Sequence, residues 1–220
     1  MPNDNLRPAP PVGIEIPPGY NEIPLGDLDT LMRTAGPVLT ESVPDRMRDD
    51  VPNVLGTLHF MLATLAANNA LYSGVGLHRT AAAVSERVAV SWLTVSSFEY
   101  GEEQNPRLVL SELINAKAEK KSRGKLAIVE GPVVPILYFE WTEKHAAPAI
   151  ASYPVTSGPP EVFQIEVTVP STDGTSIAVV ELSTTDPETG PQYRGMILDM
   201  AASVTFPQPP SDTGSSSLAL

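Results

Sequence analysis

The chain contains no cysteine among its 220 residues. Disulfide bonds, thiolate nucleophiles and zinc–thiolate sites are therefore excluded. It also lacks an uncharged run of about 18 apolar residues, and its first residues, MPNDNLRPAPPVG, contain no apolar segment, so neither a membrane span nor a secretory signal is expected. These absences predict a cytoplasmic protein that is not inserted in a membrane, with signal-independent export as the alternative.

Basic residues are scarce. Lys and Arg number 14 against 26 Asp and Glu, which gives a formal net charge of −12. Such a charge repels phosphate backbones, so nucleic acid is not an expected partner. Apolar residues make up 42% of the chain and can fill one domain core. Proline is concentrated at both ends, which predicts a flexible Pro-rich segment over 1–12, a single domain over 13–206, and a disordered Pro/Ser-rich tail over 207–220.

Four segments have helical patterns. DLDTLMRTAG predicts a short helix that is capped by Asp27 and ends at Gly36. An apolar stripe predicts a longer helix within 45–67, which either starts near Asp50, with Pro52 in its first turn, or bends at that proline. NPRLVLSELINAKAEKKS and PQYRGMILDMAAS predict two more helices. In the first of these two, the residues predicted to face inward are Leu108, Leu110, Leu113, Ile114 and Ala118.

Period-two alternation predicts the strands. Residues 70–80 and 86–98 form a predicted hairpin joined by AAAVS, and the second of these strands is apolar on both faces, so it should be covered on both sides. The further predicted strands are KLAIVEG, PVVPILYFEWTE, VFQIEVTVP, TSIAVVELST and a short VTF. Pro135 indicates that pairing in its strand begins after this residue or that the strand lies at an edge. The order predicts an α+β fold with a mostly antiparallel sheet of about six or seven strands and helices packed on it.

The extended IEIPPGY segment, the antiparallel strands and the terminal MILDMAASVTF resemble the Mog1/PsbP-like arrangement over Ile14 to Phe206. The chain is also similar to small actinobacterial proteins that carry an LYxGVGLHRT-type segment. The resemblance implies a Mog1/PsbP-like sandwich that serves as a non-catalytic interaction module. It assigns no role to any individual residue.

The segment ALYSGVGLHRT contains two glycines and a histidine close together. A phosphate-binding loop is not indicated, because no helix follows the glycines. Alternation in a strand instead places Tyr72, Gly74, Gly76 and His78 on one face, where the glycines leave a shallow trough. We expect a helix of the same chain or a partner protein to lie in this trough, which makes the four residues a candidate interaction surface.

Motifs for chemistry are lacking. The histidines, His59, His78 and His145, have no convergent metal-ligand spacing, and the chain has no G-x-S-x-G. Paired carboxylates fall in polar turns or at helix starts, where their pKa values are not pushed apart. The sequence therefore predicts no catalytic residue, no metal site and no cofactor.

A cluster of basic residues follows the third predicted helix. Its members are Lys117, Lys120, Lys121, Arg123 and Lys125. Cations near a helix C-terminus complement the helix dipole, which is the simpler interpretation. The alternative is a docking patch formed by Lys117, Lys120, Lys121 and Arg123, which would bind an acidic protein surface or the acidic EYGEE segment of a second copy of this chain.

Three functional hypotheses follow. The favoured one is a non-catalytic protein–protein interaction or accessory module, extended to an accessory factor or chaperone for a secretion or envelope system. The second is a small-molecule binder or enzyme with a pocket between sheet and helix near His78, with Tyr72, Arg79 or Trp92 at its mouth. The third is a structural subunit of a larger assembly, for which homo-oligomer formation is an option.

Overall fold

A computed structural model of the chain describes residues 10–80, 87–119, 124–145 and 159–207. These residues form an α+β fold in which seven strands make one antiparallel sheet and four α-helices pack on it, which confirms the predicted fold class. The strands are β1 (Tyr20–Glu22), β2 (Ala70–Thr80), β3 (Arg87–Glu99), β4 (Gly124–Glu130), β5 (Pro135–Lys144), β6 (Glu161–Pro170) and β7 (Ser176–Thr184). The helices are α1 (Leu28–Ser42), α2 (Val51–Ala67), α3 (Pro106–Glu119) and α4 (Arg194–Ala202), and short 3-10 helices cover Asp45–Asp50 and Gly190–Tyr193.

The strands lie in the order β1-β2-β3-β7-β6-β5-β4, and each neighbouring pair is antiparallel. The predicted hairpin of β2 and β3 is present, although the AAAVS segment that joins them lies outside the described residues. The last strand, β7, lies between β3 and β6, where Trp92 is opposite Ser183. The centre of the sheet therefore depends on pairing between distant parts of the chain.

One face of the sheet, the α4 face, holds a large cluster of buried apolar side chains. Along β3, Leu93 and Val95 belong to this cluster and lie opposite Leu182 and Val180 of β7. Ile197 of α4 packs into the same cluster and is fully buried. The alternation of apolar residues in β3, β6 and β7 thus forms the floor on which α4 rests.

The opposite face, the α2 face, carries α2 over β2 and α3 over β5 and β6. Leu62 of α2 and the pair Val109 and Leu110 of α3 are fully buried. Phe60 of α2, in contrast, is 72% exposed. Leu108 is 57% exposed, so the prediction that it faces inward is wrong: α3 turns the next two residues toward the sheet instead.

Strand β3 is covered unevenly. On the α4 face Ala89 is buried, as predicted for a strand that is covered on both sides. On the α2 face Val88 is 62% exposed and Val90 is 47% exposed, so the prediction is wrong for the first part of the strand. Coverage on this face reaches only the later residues, where Thr94 and Ser96 are buried.

Capping residues and prolines in the sequence correctly predict where α1 and α2 begin, but not where α1 ends. Asp27 Oδ1 accepts a hydrogen bond from the Thr30 backbone N–H at 3.0 Å, which confirms the predicted cap of α1. The predicted end at Gly36 is wrong, because α1 continues to Ser42 and approaches α2 closely at this glycine. Pro52 lies in the first turn of α2, which confirms the alternative of a helix that starts near Asp50.

Turns and strand ends follow the sequence pattern in part. Gly174 has a φ of +71° in the predicted STDG turn. The prediction for Pro135 is wrong, because β5 begins at this proline, which is in register with Glu130, and lies between β4 and β6 rather than at an edge. The predicted VTF strand is reduced to a single bridge between Thr205 and Gly13.

In the part of the chain that the structure describes, none of the helices combines the length and the apolar content that crossing a bilayer requires. The predicted terminal segments 1–12 and 207–220 lie almost entirely outside the described residues.

Candidate functional site

The predicted glycine trough of β2 is filled by side chains of the same chain. The Tyr72 ring lies over Gly74, and the His78 and Tyr20 rings lie over Gly76, so a side chain at either glycine would collide with them. Both glycines are buried. The predicted sharing of one face is thus present, but the neighbours in the trough are aromatic rings rather than a helix, and the glycines are not accessible to a partner.

The hydroxyl of Ser91 is the centre of the polar network beside this trough. Ser91 Oγ lies 2.8 Å from Tyr20 Oη and 3.0 Å from His78 Nε2, and Tyr193 shares a hydrogen bond with the same hydroxyl. Burial lowers the pKa of His78 and raises the pKa of Tyr20 to about 12. Because Ser91 is fully buried, the network holds β1 and the 3-10 helix before α4 onto the sheet and does not present a nucleophile.

The basic cluster after α3 is only partly described. Lys117 Nζ lies 2.8 Å from Glu166 Oε2 and 5.0 Å from the centroid of the Phe139 ring, so this lysine turns toward the sheet. Lys120, Lys121 and Arg123 lie outside the described residues. The docking patch therefore stays a prediction, and its first member is engaged within the chain.

The two remaining histidines make isolated polar contacts. His59 Nε2 on α2 lies 3.3 Å from Asp29 Oδ1 on α1, and His145 Nε2 lies 2.8 Å from Gln164 Nε2. Among the described residues, no three His, Asp or Glu side chains converge on a point where a metal ion could bind.

A cleft of about 600 Å³ opens on the α2 face, between α2 and strands β3, β7, β6 and β5. One row of side chains across its floor consists of Trp92, Ser183, Gln164 and Trp141, each opposite the next in the strand register. The two tryptophans are separated by three strand spacings, about 14 Å. Since Ser183 and Gln164 are smaller than the indole rings, the floor is hollow between them.

The neighbouring row is polar at its centre. It consists of Thr94, Glu181, Glu166 and Phe139, again in direct register. The two glutamates lie opposite each other on adjacent strands. This arrangement is destabilising because the two carboxylates repel each other. Lys117 offsets this repulsion by its ion pair with Glu166, and Thr94 Oγ1 donates a hydrogen bond of 3.3 Å to Glu181 Oε2.

Among the described residues that line the cleft, Glu181 is the ionisable one. Partial burial by the surrounding side chains raises its pKa, and the negative charge of Glu166 adds to this shift. Its side chain nevertheless stays exposed on the side that opens into the cleft. The carboxyl group is therefore accessible to a bound molecule and is easier to protonate than an ordinary surface glutamate.

The walls of the cleft are formed by an aromatic pair on β5 and by side chains of α2. Trp141 stacks on Phe139 with ring centroids 4.5 Å apart and an angle of 22° between the planes. On the other side, α2 contributes Phe60, Met61 and side chains one turn later along the same face. Met61 is 49% exposed, so this wall is apolar but not packed against the sheet.

The cleft does not lie where the sequence predicted a pocket. A pocket between sheet and helix was predicted near His78, but the cleft lies on the opposite face of β2 and β3, and neither His78 nor Tyr72 lines it. Trp92, also predicted for the mouth, does line it. The side chain of Arg79 lies outside the described residues.

Sequence reasoning missed Trp141 and Glu181. Two features of the sequence could have indicated these residues. Strand alternation places Trp141 on the same face as Phe139, and Glu181 is a charged residue within the apolar strand segment IAVVELS. Only the strand register shows that Trp141 lies in the same row as Trp92 and that Glu181 lies diagonally across from Trp92.

Comparison of the chain with family models, with curated proteins and with solved structures gives no match. The Mog1/PsbP-like relationship therefore stays a prediction, and the function has to be argued from the geometry of the chain itself.

Proposed function

We propose that this protein is a non-catalytic binding protein that holds an apolar small molecule in the cleft on the α2 face. The observation that carries the proposal is the hollow of about 600 Å³ between Trp92 and Trp141. Its volume is within the range of about 300–1,000 Å³ that is typical of small-molecule sites.

The chemistry of the lining supports the same conclusion. Binding pockets for organic molecules are mostly apolar and aromatic, with a few polar groups that orient the ligand. Here Trp92, Trp141, Phe60 and Met61 supply the apolar surface, and Glu181 is the charged residue among the polar groups at the floor. Stacking on indole rings stabilises flat or alkyl ligands through a large contact area.

The two tryptophans make the proposal directly testable. They are the only tryptophans in the chain, and both line the cleft, so intrinsic fluorescence reports on this site alone. We expect the neutral apolar dye N-phenyl-1-naphthylamine to bind and to accept excitation energy from the tryptophans. Competition by 1-octanol should reverse the energy transfer.

A variant that fills the hollow supplies the control. Ser183→Phe places a ring between the two indoles and should abolish dye binding, whereas Ser111→Phe, at an exposed position of α3, should leave it unchanged. Circular dichroism and thermal unfolding establish that both variants are folded. Equal dye binding by the wild type and Ser183→Phe would contradict the proposal, as would the absence of any binding by the wild type.

The protein–protein interaction module is the second candidate. It is favoured by a strip of large apolar side chains that lie exposed on β2 and β3 of the α2 face: Leu77, Val88 and Val90, with exposures of 60%, 62% and 47%. A photo-crosslinking amino acid at position 77 should capture a partner that the same amino acid at position 103 does not capture. The captured protein then has to bind the purified wild type and not a Leu77→Asp variant.

A further inference from the structure

We propose that the cleft selects ligands that carry a protonated amine on an apolar body, with Glu181 as the anionic partner of the ammonium group. This inference rests on the proposed binding function, and it specifies the chemical class of the ligand. Three features of the site lead to it: the charge balance around Glu181, the position of the tryptophans, and the character of the rest of the lining.

The charge balance leaves one negative charge facing the cleft. Glu166 and Glu181 are directly opposite each other, and Lys117 Nζ is bound to Glu166 at 2.8 Å. Among the described residues, one cation, Lys117, stands against these two carboxylates. Thr94 donates the hydrogen bond to Glu181, but a carboxylate can accept several, so Glu181 has capacity for another donor.

The tryptophans are placed where an ammonium group would gain from them. Trp92 lies diagonally across from Glu181 on the neighbouring strand, a separation of about 7–8 Å between backbone positions that an indole ring spans. An ammonium group next to the carboxylate would thus lie within reach of the face of Trp92, where cation–π attraction adds to the ion pair. The apolar body of the ligand would extend through the hollow toward Trp141.

The remaining lining disfavours anions. None of the described residues that line the cleft is Lys, Arg or His, so a carboxylate or phosphate ligand would meet Glu181 without a compensating cation. The net charge of −12 adds to this repulsion. A neutral apolar molecule gains the contacts with the indoles but leaves the charge of Glu181 uncompensated.

The protonation behaviour of Glu181 agrees with this assignment. Partial burial and the charge of Glu166 raise the pKa of Glu181, while Lys117 acts in the opposite direction, so a further positive charge beside the carboxylate would favour its ionised form. A bound ammonium group would supply that charge, while Lys117 stays with Glu166.

The test compares three eight-carbon ligands that differ only in their polar group: octylamine, 1-octanol and octanoate. Affinities are measured by tryptophan fluorescence and isothermal titration calorimetry at about pH 8, where octylamine is cationic and carboxylates are ionised. For the wild type we expect octylamine to bind about tenfold more tightly than 1-octanol, and octanoate to bind most weakly.

The Glu181→Gln variant keeps the size of the side chain and removes its charge. It should lower octylamine affinity to that of 1-octanol and leave the 1-octanol affinity unchanged, which also shows that the cleft is intact. The matched control, Glu103→Gln, changes the net charge equally at an exposed position between β3 and α3 and should leave all three affinities unchanged.

Each outcome separates the inference from the proposed function. If 1-octanol and octylamine bind the wild type equally, or if Glu181→Gln does not weaken octylamine, the amine assignment is overturned while the cleft remains a binding site. If neither of these ligands nor N-phenyl-1-naphthylamine binds, the proposed function fails as well. A loss of octylamine binding in Glu103→Gln equal to that in Glu181→Gln would show only a general charge effect and would also overturn the assignment.

Discussion

The two faces of one sheet differ in how their side chains are used. On the α4 face, strands and helix meet in a continuous apolar cluster in which Leu93, Ile165 and Ile197 have no exposed surface. On the α2 face, the same strands present tryptophans, glutamates and small polar residues, and α2 leaves Phe60 and Met61 largely in solvent.

This difference separates stability from binding. Close packing between α4 and the sheet removes apolar area from water and so contributes to stability. The α2 face keeps apolar area uncovered, which contributes less to stability but is available to a bound molecule. Matched substitutions on the two faces should therefore differ in their effect on the free energy of unfolding.

The largest expected difference concerns two leucines. Leu93→Ala creates a cavity in the α4 face and should lower the free energy of unfolding by about 2–5 kcal/mol. Leu77→Ala, at a residue that is 60% exposed on the α2 face, should change it by no more than about 0.5 kcal/mol. Urea unfolding followed by circular dichroism measures both. Equal losses would show that the two faces are packed equally well in solution.

A second pair of variants compares two of the ion pairs that join a helix to the sheet. Arg194 donates to both oxygens of Glu140 at 2.7 and 2.8 Å, so Arg194→Met leaves this buried carboxylate poorly compensated and should cost about 2 kcal/mol. Lys117→Met on the α2 face removes the cation–π contact with Phe139 and the ion pair with Glu166, whose side chain is less buried than that of Glu140, and should cost about 1 kcal/mol.

Double variants test this comparison. Adding Glu140→Gln to Arg194→Met removes the uncompensated charge and should restore part of the lost free energy of unfolding. If the double variant is no more stable than Arg194→Met alone, the ion pair is not what holds α4 to β5.

The third prediction concerns pH on the α4 face. The pKa of His78 is lowered by burial, so the unfolded chain binds a proton more readily than the folded one. The stability contributed by neutral His78 is present above its ordinary pKa of about 6.5 and is lost as the pH falls through the lowered value. His78→Gln should remove this part of the pH dependence of thermal unfolding, whereas His59→Gln, at the more exposed histidine of α2, should retain it.

The smallest effect on stability is expected from Glu181 on the α2 face. Its pH dependence is opposite to that of His78. Its raised pKa means that its favourable contribution is complete below the ordinary value of about 4.5 and is lost as the pH rises through the raised value. Glu181→Gln should therefore raise the melting temperature slightly at neutral pH and have no effect in acid. A melting temperature that falls at neutral pH would contradict the argument that burial and Glu166 disfavour the charge of Glu181.

Much of the fold could be predicted because it depends on local signals. The cap at Asp27, the proline in the first turn of α2 and the positive φ of Gly174 are properties of a few neighbouring residues. Alternation gave the strands and the shared face of Tyr72 and His78 for the same reason.

The errors occurred where distant elements meet. Gly36 did not end α1, because contact with α2 outweighs the helix-ending tendency of glycine. Val88 and Val90 are exposed because α2 does not extend over the start of β3, which the composition of β3 could not reveal. The cleft lies away from His78 because the helix that forms its wall packs on the other face of the sheet.

The sequence by itself determined the α+β class, most strand and helix segments, and the absence of cysteine chemistry, since these depend on residue type and short-range periodicity. Tertiary structure alone decided that β7 pairs with β3 and β6. That pairing aligns Trp92 with Trp141 and Glu166 with Glu181 across four strands. Side chains from separate strands form a site only when long-range hydrogen bonding fixes the register, and periodicity within one strand carries no information about that register.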